Sequence, residues 1–152
     1  SGAIGNGRSV LAAQAAGADL AYIGSAFIAT TEANADADYK QGIVEGRASD
    51  IVYSSLFTGI HGNYLRASIE RAGLDPDNLP EGEYKTMNFG QGDNAPAAKA
   101  WRDIWGSGQG IGSVTGTTSV AEFVAKLTAE YHDAKAELDA KYCGRPKAPT
   151  GF

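Results

Sequence analysis

Residues 1–10 read SGAIGNGRSV, so glycines occupy positions 2, 5 and 7 and a helix-forming sequence follows at once. Glycine and asparagine tolerate positive φ, and residues 5–7 therefore favour a turn. The stretch RSVLAAQAA (8–16) has the alanine content and apolar spacing of a helix that packs on a sheet, and Gly17 is expected to end it. The opening stretch thus predicts a turn and a helix, the second half of a β/α unit.

The segment that follows completes this repeat. Residues 18–24, ADLAYIG, are almost all apolar and predict a short strand buried in a parallel sheet. A helix between parallel strands needs a strand on both sides, because the crossover connects neighbours of one sheet. We therefore expect a strand to precede Ser1, supplied by a longer form of the chain or by another polypeptide.

Composition limits the class of protein. The chain has 152 residues, of which 43% are hydrophobic and 20% charged, which predicts one modest globular core. A net charge of -5 without a Lys/Arg run argues against nucleic-acid or anionic-membrane partners. The single cysteine excludes an internal disulfide, and neither a signal peptide nor a membrane-spanning stretch is evident. These features predict a cytoplasmic protein with a small-molecule partner.

The rest of the chain divides into three further units. Residues 30–113 predict a small, mostly helical accessory domain, 114–143 one long amphipathic helix with a Ser119/Glu122 capping box, and 144–152 an extended tail. Within the accessory region the pattern predicts these elements: a helix over 36–47, a strand over 50–57, a helix over 63–73, turns over 74–89 and a helix over 95–105.

Two glycine turns carry the candidate chemistry. Main-chain N–H groups of GAIGNG (2–7) and of IGS (23–25), about one repeat later, lie where unpaired donors converge on an anion. In a (β/α)₈ barrel, the loops after the seventh and eighth strands form the usual phosphate site, and the spacing of the two turns matches one repeat. Neither a dinucleotide-binding glycine motif nor a P-loop is present. The fold class predicted is α/β, the C-terminal part of a TIM (β/α)₈ barrel, with residues 1–29 as its last repeat.

Residues 1–30 also resemble the end of the flavin-binding barrel of nitronate monooxygenases, formerly 2-nitropropane dioxygenases. In that family an SGGI-x-(D/N)-G-R turn is followed one repeat later by Q-(M/I/L)-G-T-x-F. The resemblance extends through 30–44 (TTEANADADYKQGIV) and 105–114 (WGSGQGIGSV) to the terminal helix. It implies an FMN cofactor and oxidation of an alkyl nitronate by O₂ to a carbonyl compound and nitrite. It leaves a homo-oligomer open.

The resemblance also implies which residues hold the FMN phosphate through main-chain amides. They are Gly2 and Ala3 in the first turn and Tyr22, Ile23, Gly24 and Ser25 in the second. Three of these depart from the family's pattern: Ala3 replaces glycine, Tyr22 replaces glutamine and Ser25 replaces threonine. These changes leave the phosphate contacts possible and indicate a divergent branch.

The catalytic base of the family, a histidine where there is one, is implied to lie on strands before Ser1. Neither His61 nor His132 matches its motif position, so the chain alone is expected to lack the base. His61, between glycines, either lines a pocket or is a solvated loop residue. His132 and Cys143 lack the partners of a metal ligand or nucleophile, and no metal site is predicted.

The stretch WGSGQGIGSV supports two interpretations. Its glycines allow close approach to a planar ligand, with Trp105 as a stacking face and Gln109 as an amide that binds the cofactor. Alternatively, it is a flexible connector. A separate acidic cluster, Glu32, Asp36 and Asp38, lacks calcium-loop spacing and predicts a solvated helix start.

Two other functions remain open. The same fold and turns also resemble flavin-dependent enoyl-acyl-carrier-protein reductases, which use NAD(P)H to reduce a thioester-conjugated double bond. A non-catalytic module built from half a barrel is the alternative of another class.

Overall fold

The computed structural model describes residues 2–81 and 103–142. The helices are α1 (Gly7–Ala15), α2 (Ser25–Ile28), α3 (Ala37–Glu45), α4 (Arg66–Arg71) and α5 (Val120–Tyr142). The strands are β1 (Ile51–Ser54) and β2 (Gly62–Leu65), and short 3₁₀ turns cover Ala48–Asp50 and Gln109–Ser113.

Helix α1 confirms the helix predicted over residues 8–16. The Asn6 side chain accepts a hydrogen bond from the Ser9 N–H at 2.8 Å, and the Ser9 hydroxyl accepts from the Asn6 N–H at 3.3 Å. Gly17 has a φ of +96°, and its N–H donates to the Gln14 carbonyl at 2.9 Å. Gly17 therefore ends the helix as predicted, since glycine adopts this conformation without a steric penalty.

Helix α1 packs against α5 through a glycine. A Cβ on Gly7 would lie 2.2 Å from the Leu127 carbonyl oxygen and 2.4 Å from the Tyr131 nitrogen. The Gly7 N–H donates to the Glu130 carboxylate of α5 at 2.8 Å. The two helix backbones thus approach at a point where no side chain fits.

Helix α5 begins where the capping box predicts. The Ser119 N–H donates to the Glu122 carboxylate at 2.8 Å, and the Glu122 N–H donates to the Ser119 hydroxyl at 3.2 Å. A second carboxylate, that of Glu32, accepts from the Val120 N–H at 3.0 Å. The N-terminus of α5 is therefore held by both its own turn and the segment after α2.

The strand predicted over residues 18–24 is wrong for the chain as described. Leu20 and Tyr22 are 90% and 76% exposed. A strand forms only against a hydrogen-bonded neighbour, and within residues 2–81 and 103–142 no segment pairs with this one. The apolar pattern is present, but the partner that would bury it is not among the described residues.

The accessory region contains an antiparallel hairpin. Strand β1 confirms the strand expected over 50–57, and it pairs with β2 in a register that joins Ile51 to Leu65 and Ser54 to Gly62. The helix predicted over 63–73 is therefore wrong in its first turn, and α4 occupies only Arg66–Arg71. Pairing on both sides of β2 outweighs the local helical pattern, since the Leu65 N–H also donates to the Trp105 carbonyl at 2.8 Å.

A single apolar cluster joins these elements. Helix α3 confirms the helix expected over 36–47 and contributes Ile43 to this cluster. The buried members are Ala29, Ile43, Leu65, Trp105 and Ile111. The cluster connects the end of α2, the hairpin and the glycine loop, and so fixes the loop's position.

Some predictions lie outside the described residues. They are most of the helix over 95–105, the turns beyond residue 81, Cys143 and the tail over 144–152. Within the described residues, none of the helices has the length and apolar character that crossing a bilayer requires.

Candidate phosphate site

The glycine loop of residues 106–112 lies against the first turn. The Gly110 N–H donates to the Gly2 carbonyl at 2.9 Å. A Cβ on Gly108 would lie 2.3 Å from that same carbonyl oxygen, and one on Gly110 would lie 2.9 Å from the Ile4 carbonyl oxygen. Gly2 itself has a φ of +84°, which favours glycine. These loop glycines are thus required for contact between two stretches of main chain.

The second turn meets the same loop. The Gly108 N–H donates to the Ser25 hydroxyl at 2.9 Å. Gly108 therefore contacts both Gly2 and Ser25, and it brings together the two turns that the sequence separates by about one β/α repeat.

Several donors in these turns are left for a ligand. Within residues 2–81 and 103–142, the N–H groups of Ala3, Ile23, Gly24 and Ser25 have no protein acceptor. Gly24 is exposed, and a Cβ built on it would meet nothing within 4 Å. The Ser25 oxygen accepts from Gly108, so its own O–H proton remains available. N–H and O–H donors without a protein acceptor are the groups that bind a phosphate at a glycine turn.

The N–H groups of residues 5–7, which were expected to be free for an anion, already have partners in the protein. The Gly5 and Asn6 N–H groups both donate to the Ser9 hydroxyl at 3.3 Å, and the Gly7 N–H is taken by Glu130. Burial disfavours the ionised Glu130, but hydrogen bonds from Lys126 and the Gly7 N–H outweigh it and hold its pKa below the ordinary value. The N-terminus of α1 already has its anion, so only the turn before Gly5 is open to a ligand.

The structure separates two residues that the sequence placed together as ligand contacts. Gln109 is exposed at the start of its 3₁₀ turn, next to Gly108. Trp105 is only 6% exposed: its ring stacks with Tyr39 at 4.8 Å, and the Arg71 guanidinium lies 4.0 Å from its centroid. The expectation that Trp105 offers a stacking face to a ligand is therefore wrong, because core packing covers the ring.

Sequence reasoning did not single out Ser107. Its hydroxyl is buried and, within the described residues, has no hydrogen-bond partner. A serine among glycines is typical of a flexible loop, so no sequence signal distinguishes it. Its burial follows from the pairing of this segment with β2, where the Ser107 N–H donates to the Asn63 carbonyl at 3.1 Å.

The two histidines lie on different surfaces. His61 is exposed and stacks on Tyr53 with centroids 4.8 Å apart. His132 is exposed on α5 and contacts Tyr131 edge-on at 5.5 Å. The described part of the chain brings neither of them into a cluster of metal-ligating side chains.

Asp36 and Asp38 confirm the expected solvated helix start, at the beginning of α3, whereas Glu32 has a different role. Glu32 holds the N-terminus of α5, and hydrogen bonds from Thr31 and the Val120 N–H lower its pKa. Asp36 precedes α3, and Asp38 in that helix pairs with Arg71 at 3.0 Å. Two of the three carboxylates thus connect separate elements.

Comparisons with known proteins agree on one family. The sequence profile described as nitronate monooxygenase matches residues 1–130. A curated nitronate monooxygenase of Paraburkholderia phytofirmans is 28% identical over 141 residues, which cover 90% of this chain and 38% of the relative. The chain therefore spans about two fifths of that relative.

Solved structures show the fold. A nitroalkane oxidase of Streptomyces ansochromogenes is similar with a TM-score of 0.62 and 26% identity, over 90% of this chain and 39% of the other. FabK of Thermotoga maritima is similar with a TM-score of 0.63 and 20% identity, over 92% of this chain and 45% of the other. The fold is thus that of part of an α/β barrel.

Proposed function

Because this chain belongs to the nitronate monooxygenase family, we propose that it forms the C-terminal part of an FMN-dependent enzyme that oxidises alkyl nitronates. O₂ is the second substrate, and the products are a carbonyl compound and nitrite. The observation that supports this proposal is the set of unpaired donors in two turns joined by Gly108. A phosphate there would satisfy N–H groups that otherwise face solvent.

The proposal assigns a role to each part of the site. Main-chain N–H groups of the first turn (Gly2, Ala3) and of the second (Tyr22, Ile23, Gly24, Ser25) hold the FMN phosphate, and the Ser25 O–H donates to it. The exposed Gln109 amide binds another part of the cofactor. FMN, when bound, supplies the redox chemistry, whereas the protein positions it and excludes competing reactions.

The remaining barrel strands come from polypeptide that precedes residue 1 in the proposed enzyme. Residues 18–24 then become a strand between neighbours, and their exposed apolar side chains are buried. The accessory region over 30–113 covers the substrate pocket. The catalytic base is proposed to lie on the preceding strands, as in the family.

Stopped-flow reduction of the flavin tests the reaction. We expect the protein, together with the preceding barrel segment, to be yellow and to be reduced rapidly by propane-2-nitronate under anaerobic conditions. Reduction by NADPH but not by the nitronate would indicate an enoyl reductase instead. A folded, colourless protein that binds no FMN would indicate a non-catalytic module.

Variants of Ser25 and Gly108 test the phosphate site. Ser25→Ala is expected to weaken FMN binding about tenfold, since it removes a hydrogen bond to a charged group and the acceptor of Gly108, whereas Ser25→Thr keeps the hydroxyl. Gly108→Ala should also weaken FMN binding, because its Cβ would lie 2.3 Å from the Gly2 oxygen and separate the two turns. Gly106→Ala is the matched control, because its Cβ meets only the Asn63 carbonyl oxygen, at 3.8 Å. FMN fluorescence quenching measures the dissociation constants. Equal affinities in all four variants would contradict the proposed site.

A further inference from the structure

Helix α3 contacts the glycine loop through the side chain of Tyr39. The Tyr39 O–H donates a hydrogen bond to the Gly106 carbonyl oxygen. Its ring also stacks on Trp105, with centroids 4.8 Å apart and an interplanar angle of 11°. Burial raises the pKa of the phenol above its ordinary value, so the O–H remains a donor at neutral pH. Tyr39 therefore contacts two consecutive residues where the loop begins.

The pairing of this segment with β2 leaves the Gly106 carbonyl to α3. Tyr64 and Gly106 form an antiparallel bridge, and the hydrogen bonds of that bridge belong to the residues on either side. One of them joins the Ser107 N–H to the Asn63 carbonyl at 3.1 Å. In such a pair, the main-chain N–H and C=O of the two facing residues point away from the partner strand. Strand β2 thus does not hold the Gly106 carbonyl, whereas Tyr39 does.

Gly106 lies two residues before the point where the two glycine turns meet. There the Gly108 N–H donates to the Ser25 hydroxyl at 2.9 Å, and a Cβ on Gly108 would lie 2.3 Å from the Gly2 carbonyl oxygen. Because the Ser25 oxygen accepts this bond on one side, its O–H proton points away from Gly108. The position of the loop therefore fixes the direction of the Ser25 O–H donor.

We propose that Tyr39 is a positioning residue of the phosphate site. By holding the Gly106 carbonyl, it keeps Gly108 where its N–H orients the Ser25 hydroxyl towards the FMN phosphate. The inference rests on the proposed function, because it takes the phosphate from the cofactor assigned there. Tyr39 acts through the loop and is not itself a ligand of the phosphate.

Two controls separate this role from a general structural one. Tyr39→Phe removes the O–H but keeps the ring that stacks on Trp105. Gly106 is exposed, so water can replace the phenol at its carbonyl and the variant is expected to fold. Tyr53→Phe is the matched control, because this ring is 69% exposed and its stack on His61 does not need the hydroxyl. Riboflavin is the control ligand, because it has the ring system of FMN without the phosphate.

Fluorescence quenching measures the dissociation constants of FMN and riboflavin on the flavin-free protein with its preceding barrel segment. We expect Tyr39→Phe to raise that of FMN about fivefold, the factor that one neutral hydrogen bond supplies, and to leave that of riboflavin unchanged. Tyr53→Phe should change neither. In a Ser25→Ala background, Tyr39→Phe should change FMN binding less than about twofold, because the hydroxyl that it orients is absent.

The outcomes distinguish this inference from the proposed function. Unchanged constants in Tyr39→Phe, or equal losses of FMN and riboflavin affinity, overturn the inference. A loss that persists in full in the Ser25→Ala background also overturns it. A wild-type protein that binds FMN no more tightly than riboflavin refutes the phosphate site and the inference together. A wild-type protein that prefers FMN but is not reduced by the nitronate refutes only the proposed reaction, and the Tyr39→Phe shift still decides the inference.

Discussion

Ser68 and Ser107 are both buried, but their hydroxyls have different surroundings. The Ser68 hydroxyl donates to the Leu65 carbonyl at 2.7 Å and accepts from the Trp105 N–H at 3.0 Å. The Ser107 hydroxyl has no partner within the described residues. Burial of a polar group is favourable only where its hydrogen bonds are replaced, so the two serines should contribute opposite terms to the free energy of unfolding.

Alanine substitution of these serines tests that difference. Ser68→Ala should lower the free energy of unfolding by about 1–3 kcal/mol, because the Trp105 N–H loses its acceptor. Ser107→Ala should leave it unchanged or raise it by up to about 1 kcal/mol, because the buried hydroxyl has no bond to lose. Urea unfolding of both variants measures the two values. A large loss in Ser107→Ala would mean that this hydroxyl has a partner.

At the scale of elements, the contact between α1 and α5 depends on Gly7. Gly7→Ala should lower the free energy of unfolding by about 3 kcal/mol, because the added methyl overlaps main-chain atoms of α5 that have no room to move. The control is Gly116→Ala, where a Cβ meets nothing within 4 Å. Thermal unfolding followed by circular dichroism compares the variants. Similar midpoints for both would show that the helices do not approach at Gly7.

The same helix pair predicts a dependence on pH. The pKa of Glu130 is lowered in the folded protein, so its stabilising effect is present above its ordinary pKa of 4.5 and is lost as the pH falls through the folded value. Unfolding midpoints should therefore drop between about pH 6 and about pH 3, and Glu130→Gln should reduce that drop. Asp139→Asn, an exposed carboxylate on the same helix, is the control. If the unfolding midpoint of Glu130→Gln falls with pH as steeply as that of the wild type, the contact between Glu130 and the Gly7 N–H does not contribute to stability.

The hairpin shows how tertiary contacts change an element. The sequence NYLRASIERAG predicts one helix, but Asn63–Leu65 pair with β1 on one side and with residues 105–107 on the other. Local pattern indicates the helix that follows and its end at Gly73, whose φ is +79°. It does not indicate the strand, because the strand depends on pairing with β1 and with a second segment about 40 residues later in the chain.

At the scale of the whole molecule, residues 18–24 form an apolar surface without a partner among the described residues. Leu20 is 90% exposed, and beside it lies a shallow cavity of about 110 Å³ lined by Val10, Gln14 and Tyr131, among others. In the proposed enzyme this segment is a barrel strand. Its exposed side chains would then be covered by the neighbouring strands.

Hydrogen exchange and one substitution test that assembly. Amides of residues 19–23 should exchange rapidly in the isolated chain and slowly once the preceding barrel segment is added. Leu20→Asp should weaken the association strongly, since it places a charge in a buried strand. Leu74→Asp, at a residue 40% exposed after α4, is the control. Association of Leu20→Asp with unchanged affinity, measured by sedimentation, would refute a strand at this position.

The sequence by itself determined helices α1 and α5 and the family. Caps at Asn6, Gly17 and Ser119 are decided by side chains within one turn, so helices α1 and α5 have the expected limits. The spacing of the two glycine turns and their motif indicated the barrel repeat and its flavin relatives. Both signals depend only on residues near one another in the chain.

Only the tertiary structure decided which groups remain free for a ligand. Glu130 comes from a helix more than 120 residues away and takes the Gly7 N–H, whereas Gly108 joins Gly2 to Ser25. Packing against Tyr39 and Arg71 removes Trp105 from the candidate site. A hydrogen-bonding group can serve a ligand only if no distant part of the chain has satisfied it, and that depends on contacts which the local sequence does not encode.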